Sequence, residues 1–461
     1  MKNRFRKSHL LISVSALALA GCTLSFSLSR SSTPSSVGET SSSAPTKESR
    51  LLHVEGSDVF NPKGEKVYLR GTNVGGLFVQ ESWMCFTASR DLLNTYNVIE
   101  ALYGEGAAFE ALNIYENTFF IEEDFQNCED IGLNVLRLPI SYMDVYDTDF
   151  SVPYSDSPTA AQLRGLTLTL RERHLQKIDR FIQDAERHGM YVILDLHGAW
   201  GSQNGNDHSI DARQHDWLWN NDEMGEAFRE LTLRTWQDLA TRYKDFDNIA
   251  GYDLLNEPAG DNSAGTDNTT TTGRQQWDYF DTLYKAIRAI DPNHIIIMES
   301  CWDASNLPNP QEYGWENIMY QYHHYEWSGQ DDDELQFTSH QNKVRNLVDA
   351  DYGVPIYMGE FRVFGEEQNE TLARVLSLYN ENNLHWTTWT YKIRGWSNWG
   401  LYCVPTWGED HPEQAIVRSL NECDDFFDIQ AKWENQRKGQ TKNEEMCAVI
   451  SAAIKNAEAE A

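Results

Sequence analysis

The feature that most constrains the fold is a series of eight short apolar runs of β-type residues, separated by longer amphipathic segments. Several runs are apolar throughout, as expected of strands that are buried on both faces of a parallel sheet. Strands that alternate with helices eight times favour a (β/α)8 TIM barrel over an open doubly wound sheet. We predict barrel strands at 67–71, 134–138, 191–196, 249–255, 294–298, 318–322, 355–359 and 385–390.

Helical periodicity between these runs supports an α/β barrel. The clearest helix is predicted at 172–188, with one apolar stripe and Gly189 as its stop, and 222–243 and 277–290 have a similar pattern. Residues 51–68 predict a small N-terminal β-hairpin that turns at Asn61-Pro62-Lys63-Gly64. A Rossmann fold would require a glycine-rich phosphate turn early in the chain, and the sequence has none.

Two polar stretches interrupt the barrel pattern. Residues 259–273 are rich in Thr, Asn, Gly and Asp, and predict a long loop on the active face. Residues after 406 are polar with helical spacing, and predict the last barrel helix followed by an exposed tail. We therefore assign 51–461 to one barrel domain with a polar C-terminal tail.

The first 22 residues have the pattern of a processing segment. A basic start precedes an apolar stretch at 10–20 that is too short to span a bilayer comfortably. It ends in Leu19-Ala20-Gly21-Cys22, which looks like a bacterial lipobox with Cys22 as the lipidated residue; the alternative is an ordinary signal peptide with an incidental cysteine. Residues 23–50 predict a Ser/Thr-rich flexible linker. We expect a lipid-anchored protein on the extracellular face of a bacterial membrane.

The charge of the chain excludes several partners. A net charge of −32 repels nucleic acid and anionic lipid, so we expect no nucleic-acid partner and no membrane contact except the lipid anchor. The sequence has no zinc or phosphate-loop motif, and we expect no metal, no cofactor and a monomer. Six cysteines besides Cys22 allow a disulfide, but their spacing does not assign its connectivity. They are Cys85, Cys128, Cys301, Cys403, Cys423 and Cys447.

Polar side chains suited to sugar chemistry follow most of the predicted strands. Two of them are glutamates, Glu257 in Leu254-Leu255-Asn256-Glu257-Pro258 and Glu360 in Tyr357-Met358-Gly359-Glu360-Phe361. The carboxyl ends of all barrel strands open onto one face, so these glutamates would meet there despite their separation in sequence. Retaining glycosidases need two carboxyl groups about 5 Å apart. The other strand-end groups are Arg137, His197, Asn256, His323, Tyr325 and Trp389.

These motifs together resemble glycoside hydrolase family 5, the cellulase-like enzymes, over residues 65 to 400. The stretch from Asp195-Leu196-His197-Gly198 to Gly205 is similar to the exo-β-1,3-glucanase branch of that family. Arg70-Gly71-Thr72-Asn73-Val74-Gly75-Gly76 and Glu81-Ser82-Trp83 are similar to the same branch. Asn-Glu-Pro, His-x-Tyr and Gly-Glu-Phe follow in the order that the family has.

The resemblance implies a role for each strand-end residue. Glu257 matches the acid/base and Glu360 the nucleophile, and Asn256 matches the residue that binds the 2-hydroxyl of the sugar. Arg137 would keep the nucleophile ionised, as a nearby guanidinium does. The remaining matches are Tyr325 as a donor to the nucleophile, His197 and His323 as ligands of sugar hydroxyls or orienting groups, Trp389 as the sugar platform, and Glu81 as a ligand at the far end of that sugar.

Simpler interpretations stand beside these roles. The two glutamates could be structural salt-bridge partners, His197 could be a core histidine, and Trp386 could replace Trp389 as the platform. His324 fits a structural role, because His323 has the His-x-Tyr spacing. Asp207, Glu299 and Trp302 could line the cleft or lie outside it.

The resemblance implies a retaining β-glycosidase that hydrolyses β-glucan or related β-glucosidic bonds of an oligo- or polysaccharide through a covalent glycosyl-enzyme. A second hypothesis keeps the chemistry on mannan, xyloglucan or a glycolipid, since barrel folds host many substrates. A third is a non-catalytic sugar-binding lipoprotein, for which a paired acid and nucleophile would have no use.

Overall fold

The computed structural model describes residues 49–81, 83–85, 91–258, 271–300, 302–395, 397–404 and 426–460. Residues Arg50–Ala461 form one folded unit. The predicted signal segment, Cys22 and nearly all of the predicted linker lie outside the described residues. Most of the predicted loop at 259–273 also lies outside them.

Eight parallel strands close into a barrel, in which each strand pairs with its neighbour in sequence and the last pairs with the first. The predicted TIM barrel is confirmed, and all eight strands lie where the sequence predicts them, with limits that differ by a few residues. The largest shift at a start is in the first strand, which begins at Arg70 rather than at Val67. The strands are β1 (Arg70–Asn73), β2 (Val135–Ser141), β3 (Tyr191–Gly198), β4 (Ile249–Asp253), β5 (Ile296–Glu299), β6 (Ile318–His324), β7 (Ile356–Phe361) and β8 (His385–Thr388).

Helices cover the outside of the barrel. Between β5 and β6, however, the described residues form only two 3-10 turns, Ala304–Asn306 and Pro310–Glu312. Pro308, Pro310 and Gly314 in this short connection disfavour a continuous helix, so one of the eight predicted alternations has no α-helix. The α-helices are Leu92–Tyr103, Ala107–Phe119, Glu122–Ile131, Tyr142–Val145, Ser151–Tyr154, Ala160–Arg164, Glu172–Arg187, Glu223–Tyr243, Thr271–Arg288, Asp333–Asp349, Gln368–Glu381, Phe426–Lys438 and Glu444–Glu460.

The predicted N-terminal hairpin is present, with strands His53–Glu55 and Asp58–Phe60. Its tight turn lies at Gly56, whose φ of +62° suits glycine, and the predicted Asn61–Gly64 turn is a second one that leads to a bridge between Phe60 and Lys66. The first turn was not predicted because strands of three residues leave no readable alternation.

The hairpin packs on the amino-terminal end of the barrel. An apolar cluster joins its side chains to those at the starts of the barrel strands. Such a packed end contributes stability and leaves the opposite end for chemistry. The fully buried members of the cluster include Leu52, Val59, Leu69, Val135, Ile193, Ala250, Ile295, Ile297 and Met319.

The C-terminal part returns to the barrel. Strands Lys392–Arg394, Tyr402–Val404 and Thr441–Lys442 form a small sheet, and a second small pair joins Tyr146–Asp147 to Thr169–Leu170. The final helix, Glu444–Glu460, buries Ile450 and Ile454. Residues 405–425 of the predicted tail lie outside the described residues.

Four cysteines fall in the described part of the chain, and each has a free thiol: Cys85, Cys128, Cys403 and Cys447. Cys301 and Cys423 lie outside it. Among the helices that the structure describes, none combines the length and the apolar composition that crossing a membrane requires.

Candidate active site

Arg137 organises the carboxyl-terminal end of the barrel. It lies on β2 and is fully buried. Its Nε donates to Asp253 Oδ2 at 2.8 Å, and its Nη1 donates to Glu360 Oε1 at 2.8 Å. Its Nη2 donates to the amide oxygen of Asn256 at 2.8 Å and lies 3.2 Å from Asp195 Oδ2. One guanidinium thus connects the ends of β3, β4 and β7.

Glu360 lies at the end of β7 and is nearly buried. Arg137 contacts one of its oxygens, and the Tyr325 hydroxyl donates to the other, Oε2, at 2.9 Å. Burial raises the pKa of Tyr325 well above its ordinary value, and the charge of Glu360 raises it further, so the phenol stays a donor. A cation and a hydroxyl donor therefore stabilise a negative charge on Glu360 and fix its orientation.

Glu257 follows β4 in a left-handed conformation with φ +43°, which few non-glycine residues adopt. The loop after β3 holds this backbone in place, because Gln203 Nε2 donates to the carbonyl of Asn256 at 2.9 Å and Asn204 Nδ2 donates to that of Glu257 at 3.0 Å. Unusual backbone geometry of this kind costs on the order of 1–3 kcal/mol and clusters at functional sites.

Imidazoles contact both carboxylate oxygens of Glu257. His323 Nδ1 lies 2.8 Å from Oε1, and His208 Nε2 lies 3.1 Å from Oε2. Burial raises the pKa of Glu257, but the neighbouring His208 and His323 lower it more, so that it falls well below its ordinary value. The two glutamates therefore have different environments: Glu360 is bound by a guanidinium and a phenol, whereas Glu257 is bound by two groups that can exchange protons.

The two glutamates face one cavity of about 360 Å³. A carboxylate oxygen of Glu257 and one of Glu360 lie within 4.8 Å of each other, and His323 Nδ1 lies 3.6 Å from Glu360 Oε2. This volume is within the range of small-ligand sites. The cavity is lined by Glu81, Trp83, His197, His208, Asn256, Glu257, Trp302, Tyr325, Trp327, Glu360, Trp389 and Trp399.

Further carboxyl groups lie beneath the cavity and around Arg137. Burial raises the pKa of Asp195 to about 7 and that of Asp253 to about 6, although Arg137 opposes both shifts. Burial also raises the pKa of Glu299 well above its ordinary value, and Gln321 Nε2 donates to this carboxyl at 2.7 Å. A single buried cation cannot compensate four buried anions, so some of these groups retain protons near neutral pH.

An imidazole and an indole form one wall of the cavity. The rings of His197 and Trp389 are stacked, with centroids 5.4 Å apart and an angle of 8° between their planes. His197 Nδ1 lies 2.6 Å from Asp195 Oδ2, which fixes the orientation of the ring, and burial lowers the pKa of His197 well below its ordinary value. A neutral imidazole can both donate and accept hydrogen bonds.

Glu81 lies in the loop after β1 and faces the same cavity. Trp83 Nε1 donates to its Oε2 at 2.8 Å, while its Oε1 has no hydrogen-bond partner among the described residues. Burial and then the charge of Asp207 raise the pKa of Glu81 to about 8. A carboxyl group that keeps its proton at neutral pH can donate a hydrogen bond to a ligand hydroxyl.

The structure brings the predicted site residues together. Seven of them line the cavity, and Arg137 and His323 lie directly behind it, each in contact with at least one of the two glutamates. Trp386 is buried outside the cavity, where its Nε1 donates to Asn380, and His324 contacts Ser339, also outside it. Of the residues left open, Trp302 lines the cavity, and Glu299 lies behind it near Arg137.

Sequence reasoning missed four residues that line the cavity: Trp83, His208, Trp327 and Trp399. Trp83 stands in a stretch that was matched for its neighbour Glu81, and His208 follows Asp207 in the long connection after β3. Trp327 and Trp399 lie in irregular loops, where no periodic pattern indicates which way a side chain points. All four residues lie in loops that follow barrel strands, and this position is the one feature of the sequence that could have indicated their place in the cavity.

Two clusters in the described residues bring metal-type ligand atoms within 4.8 Å of one another: Glu81 with Asp207 and His208, and Glu257 with His323 and Glu360. In both clusters the imidazole already contacts a carboxylate of Glu257. Close acidic groups are common without an ion, and we assign none of these residues as a metal ligand. The expectation of a metal-free enzyme stays a prediction.

Comparisons with known proteins bear on the family to which this chain belongs. The model of the family Cellulase (glycosyl hydrolase family 5) matches residues 102–395. A "Beta-xylosidase" of Phanerodontia chrysosporium is 28% identical over 395 residues, which are 80% of this chain and 75% of that protein. A "Probable glucan 1,3-beta-glucosidase A" of Emericella nidulans is 31% identical over 267 residues, which are 57% of this chain and 58% of that protein. The match thus spans less than two thirds of the glucosidase.

Solved structures show the same fold. The crystal structure of an endogalactoceramidase has a TM-score of 0.55 at 18% identity, covering 87% of this chain and 84% of that one. A rutinosidase from Aspergillus niger also has a TM-score of 0.55, at 17% identity, covering 76% of this chain and 97% of that one. With a family model that matches well over half of its length, this chain belongs to the cellulase family, glycosyl hydrolase family 5, and is a glycoside hydrolase as its sequence predicts.

Proposed function

We propose that this glycoside hydrolase is a retaining β-glycosidase that cleaves β-glucosidic bonds of a β-glucan. The spacing of the two glutamates carries this proposal, because oxygens of Glu257 and Glu360 lie within 4.8 Å of each other. Retaining enzymes keep their carboxyl groups about 5–5.5 Å apart, whereas inverting enzymes need about 6.5–9.5 Å to admit a water. The similar proteins that are named glucan 1,3-beta-glucosidases support the choice of a β-glucan.

Glu360 is the proposed nucleophile. Arg137 and Tyr325 hold its two oxygens, so that the carboxylate can attack the anomeric carbon from one face. Glu257 gives a proton to the leaving oxygen as that bond breaks, and a glycosyl ester on Glu360 results. Glu257 then takes a proton from water, which attacks the anomeric carbon and frees Glu360.

The remaining cavity residues would bind the sugar whose bond is cleaved. Trp389 offers an indole face for the ring, and His197 and Glu81 offer polar groups for its hydroxyls. The amide oxygen of Asn256 accepts from Arg137, which fixes the amide beside Glu257 for the 2-hydroxyl. Contacts to that hydroxyl strengthen in the transition state and add several kcal/mol in enzymes of this type.

The test compares Glu360→Ala and Glu257→Ala with wild type on an aryl β-glucoside and on laminarin. We expect Glu360→Ala to lose roughly 10⁴-fold or more in kcat, and Glu257→Ala to lose about 10²–10⁴-fold on laminarin. The first product anomer, followed by proton NMR, should be β. The matched control is Glu55→Ala, an exposed glutamate on the hairpin. Wild-type turnover by Glu360→Ala, or an α-product, would overturn the proposal.

A second substrate class is favoured by the rim of the cavity. Three tryptophans there are unusually exposed: Trp327 by 55%, Trp302 by 51% and Trp83 by 39%. Exposed apolar side chains around a cleft mark a binding surface. In a glucoside with an apolar leaving group, such as a glycolipid, that leaving group would bind to this rim.

Relative kcat/KM on octyl β-glucoside, methyl β-glucoside and laminaritriose separates the two classes. If the rim binds an apolar leaving group, octyl β-glucoside should exceed methyl β-glucoside by roughly tenfold or more, since each buried methylene contributes about 0.8 kcal/mol. A ratio near one together with fast cleavage of laminaritriose would leave the β-glucan as the substrate.

We also propose that the enzyme is anchored to the extracellular face of a bacterial membrane through a lipid on Cys22. The basic start, the apolar stretch and the Leu19-Ala20-Gly21-Cys22 ending support this location. In cells, Cys22→Ser should move the enzyme from the membrane fraction to the soluble one. Mass spectrometry of the N-terminal peptide should detect the diacylglyceryl group in wild type. A mature protein that begins elsewhere without lipid would contradict the anchor.

A further inference from the structure

The contacts of Glu257 disfavour the proton that its acid/base role requires. A general acid must carry a proton when the substrate binds. In this structure the two oxygens of Glu257 contact His323 Nδ1 at 2.8 Å and His208 Nε2 at 3.1 Å. These contacts lower the pKa of Glu257 well below its ordinary value, which removes the proton that the reaction needs.

His208 is the neighbour that can hold this proton. Burial lowers the pKa of His208, but its acidic neighbours, Glu257 first and then Glu81 and Asp207, raise it more, to about 10. Glu257 faces His208 from the end of β4 and Glu81 faces it from the loop after β1. Asp207 lies beside it in the 3-10 turn Asp207–Ser209. His197, at the end of β3, is a further titratable group nearby, and the centroids of the His197 and His208 rings lie 6.3 Å apart. The carboxylates of Glu257 and Asp207 favour the charged form of this imidazole at neutral pH, and Glu81 adds to them once it loses its proton above about pH 8.

His208 Nε2 has a partner in either protonation state. When it carries a proton, it can donate to Glu257 Oε2 at 3.1 Å. When it has lost that proton, its lone pair can accept from Asn204 Nδ2, which lies 2.8 Å away. Asn204 Nδ2 also donates to the backbone carbonyl of Glu257 at 3.0 Å, and this is the bond that the amide keeps when His208 Nε2 is protonated and can no longer accept. A group that is satisfied with and without its proton can exchange it at low cost.

We propose that His208 stores the proton that Glu257 delivers to the leaving group, and that it acts as a positioning residue through Glu257. In the first step the proton moves from His208 Nε2 to Glu257 Oε2, and from there to the leaving oxygen as its bond to the anomeric carbon breaks. In the second step Glu257 takes a proton from water as the bond to Glu360 breaks, and this proton returns to Nε2. Because His208 acts through Glu257, this role depends on the proposed acid/base function of Glu257.

The test measures kcat/KM against pH for His208→Gln and His208→Asn. In wild type, Glu257 and His208 together keep one proton until the pH approaches the pKa of His208. The alkaline limb of the pH profile, where kcat/KM falls, therefore lies at high pH. Without the imidazole of His208, Glu257 keeps only His323 as a neighbouring group that can exchange a proton. On methyl β-glucoside, whose leaving group needs protonation, we expect the alkaline limb to move down by at least one pH unit. We also expect kcat/KM on this substrate to fall by roughly 10-fold or more at pH 8.

The leaving group separates this role from simple misfolding. The leaving group of 2,4-dinitrophenyl β-glucoside departs without a proton. On this substrate the kcat/KM of both variants should stay within about twofold of the wild-type value. The matched control is His188→Gln, because His188 also lies between two carboxylates, Glu129 at 2.7 Å and Glu122 at 3.0 Å, but outside the cavity. Its pH profile should equal that of wild type.

Two results would overturn the role of His208. One is that the alkaline limb is unchanged in both His208 variants while Glu257→Ala loses activity on methyl β-glucoside. Glu257 would then be the acid/base, but His208 would not store its proton. The other is an equal loss on both substrates, which would indicate a structural role. Full activity of Glu257→Ala on methyl β-glucoside would instead overturn the acid/base assignment and the role of His208 with it.

Discussion

The two ends of the barrel differ in what they bury. The amino-terminal end is filled by apolar side chains of the strands and the hairpin, among them Leu52, Val59 and Ile297. The carboxyl-terminal end buries Arg137 together with the carboxyl groups of Asp195, Asp253, Glu299 and Glu360. The same strands therefore supply an end that favours folding and an end where buried charge opposes it, as expected when catalytic groups occupy strand ends.

The largest effect on stability is expected from Arg137→Met. The substitution leaves Asp253 and Glu360 without the cation that lies 2.8 Å from each, and should cost about 3–5 kcal/mol of unfolding free energy at pH 8. The loss should be smaller at pH 5, because Asp195 and Asp253, with pKa values of about 7 and about 6, then hold protons. Urea unfolding at the two pH values measures this difference.

The control for Arg137→Met is Arg164→Met. Arg164 bonds to Glu230 at 2.8 Å on an exposed surface, where such pairs contribute about 0–1 kcal/mol. An equal loss at pH 5 and pH 8 for Arg137→Met would mean that packing, and not charge, dominates at this end of the barrel.

The second effect belongs to the apolar end. Ile297→Ala removes a fully buried side chain of β5 from the cluster beneath the hairpin, and should cost about 2–5 kcal/mol. Kinetic constants should stay at wild-type values, because this apolar cluster includes neither glutamate and none of the residues that line the cavity. Thermal unfolding and kcat/KM, measured on the same preparation, would check both. A lowered kcat/KM in well-folded protein would show that the two ends are coupled.

The third effect concerns the pH dependence of stability. The pKa of Asp195 is raised from its ordinary 3.8 to about 7, so between these pH values the folded protein binds more protons than the unfolded chain. The contribution of this group to stability is therefore present below about pH 4 and is lost as the pH rises to about 7. Asp195→Asn, a neutral isostere, should reduce the fall in unfolding free energy over this interval by about 3 kcal/mol.

Asp156→Asn, which changes a fully exposed carboxylate, controls for surface charge in this experiment. If both variants keep the wild-type slope between pH 4 and pH 7, Asp195 does not carry a raised pKa in the folded protein.

The sequence predicted the strands of the barrel because each is a local apolar run. It also placed the glutamates correctly at strand ends, since the carboxyl ends of parallel barrel strands must meet. It did not predict that the described residues between β5 and β6 form two 3-10 turns in place of an α-helix, which Pro308, Pro310 and Gly314 disfavour. The roles of Asp195 and Asp253 were also missed, because an acidic residue inside an apolar run does not reveal which cation it will contact.

Loop residues set the other limit of prediction. His208 and Trp399 reach the cavity only because long connections fold back over the strand ends, and no short-range pattern encodes that path. Trp399 contacts Trp83 with ring centroids 5.1 Å apart, although 316 positions separate them in sequence. The chain has 15 tryptophans, and the sequence alone does not indicate that Trp83, Trp327 and Trp399 are among those that line the cavity.

The smallest effect is expected at the rim. Trp327 is exposed and lies with its ring centroid 5.7 Å from that of Tyr325 and 6.0 Å from that of Trp399. Trp327→Ala should remove about 1 kcal/mol of ring contact with the substrate, and so raise KM for laminarin about fivefold. The kcat value should change little, because binding at the rim is the same in the ground state and the transition state. Leu102→Ala, an exposed side chain on Leu92–Tyr103 outside the cavity, is the control, and a fall in kcat with unchanged KM would assign Trp327 to the chemistry of the site instead.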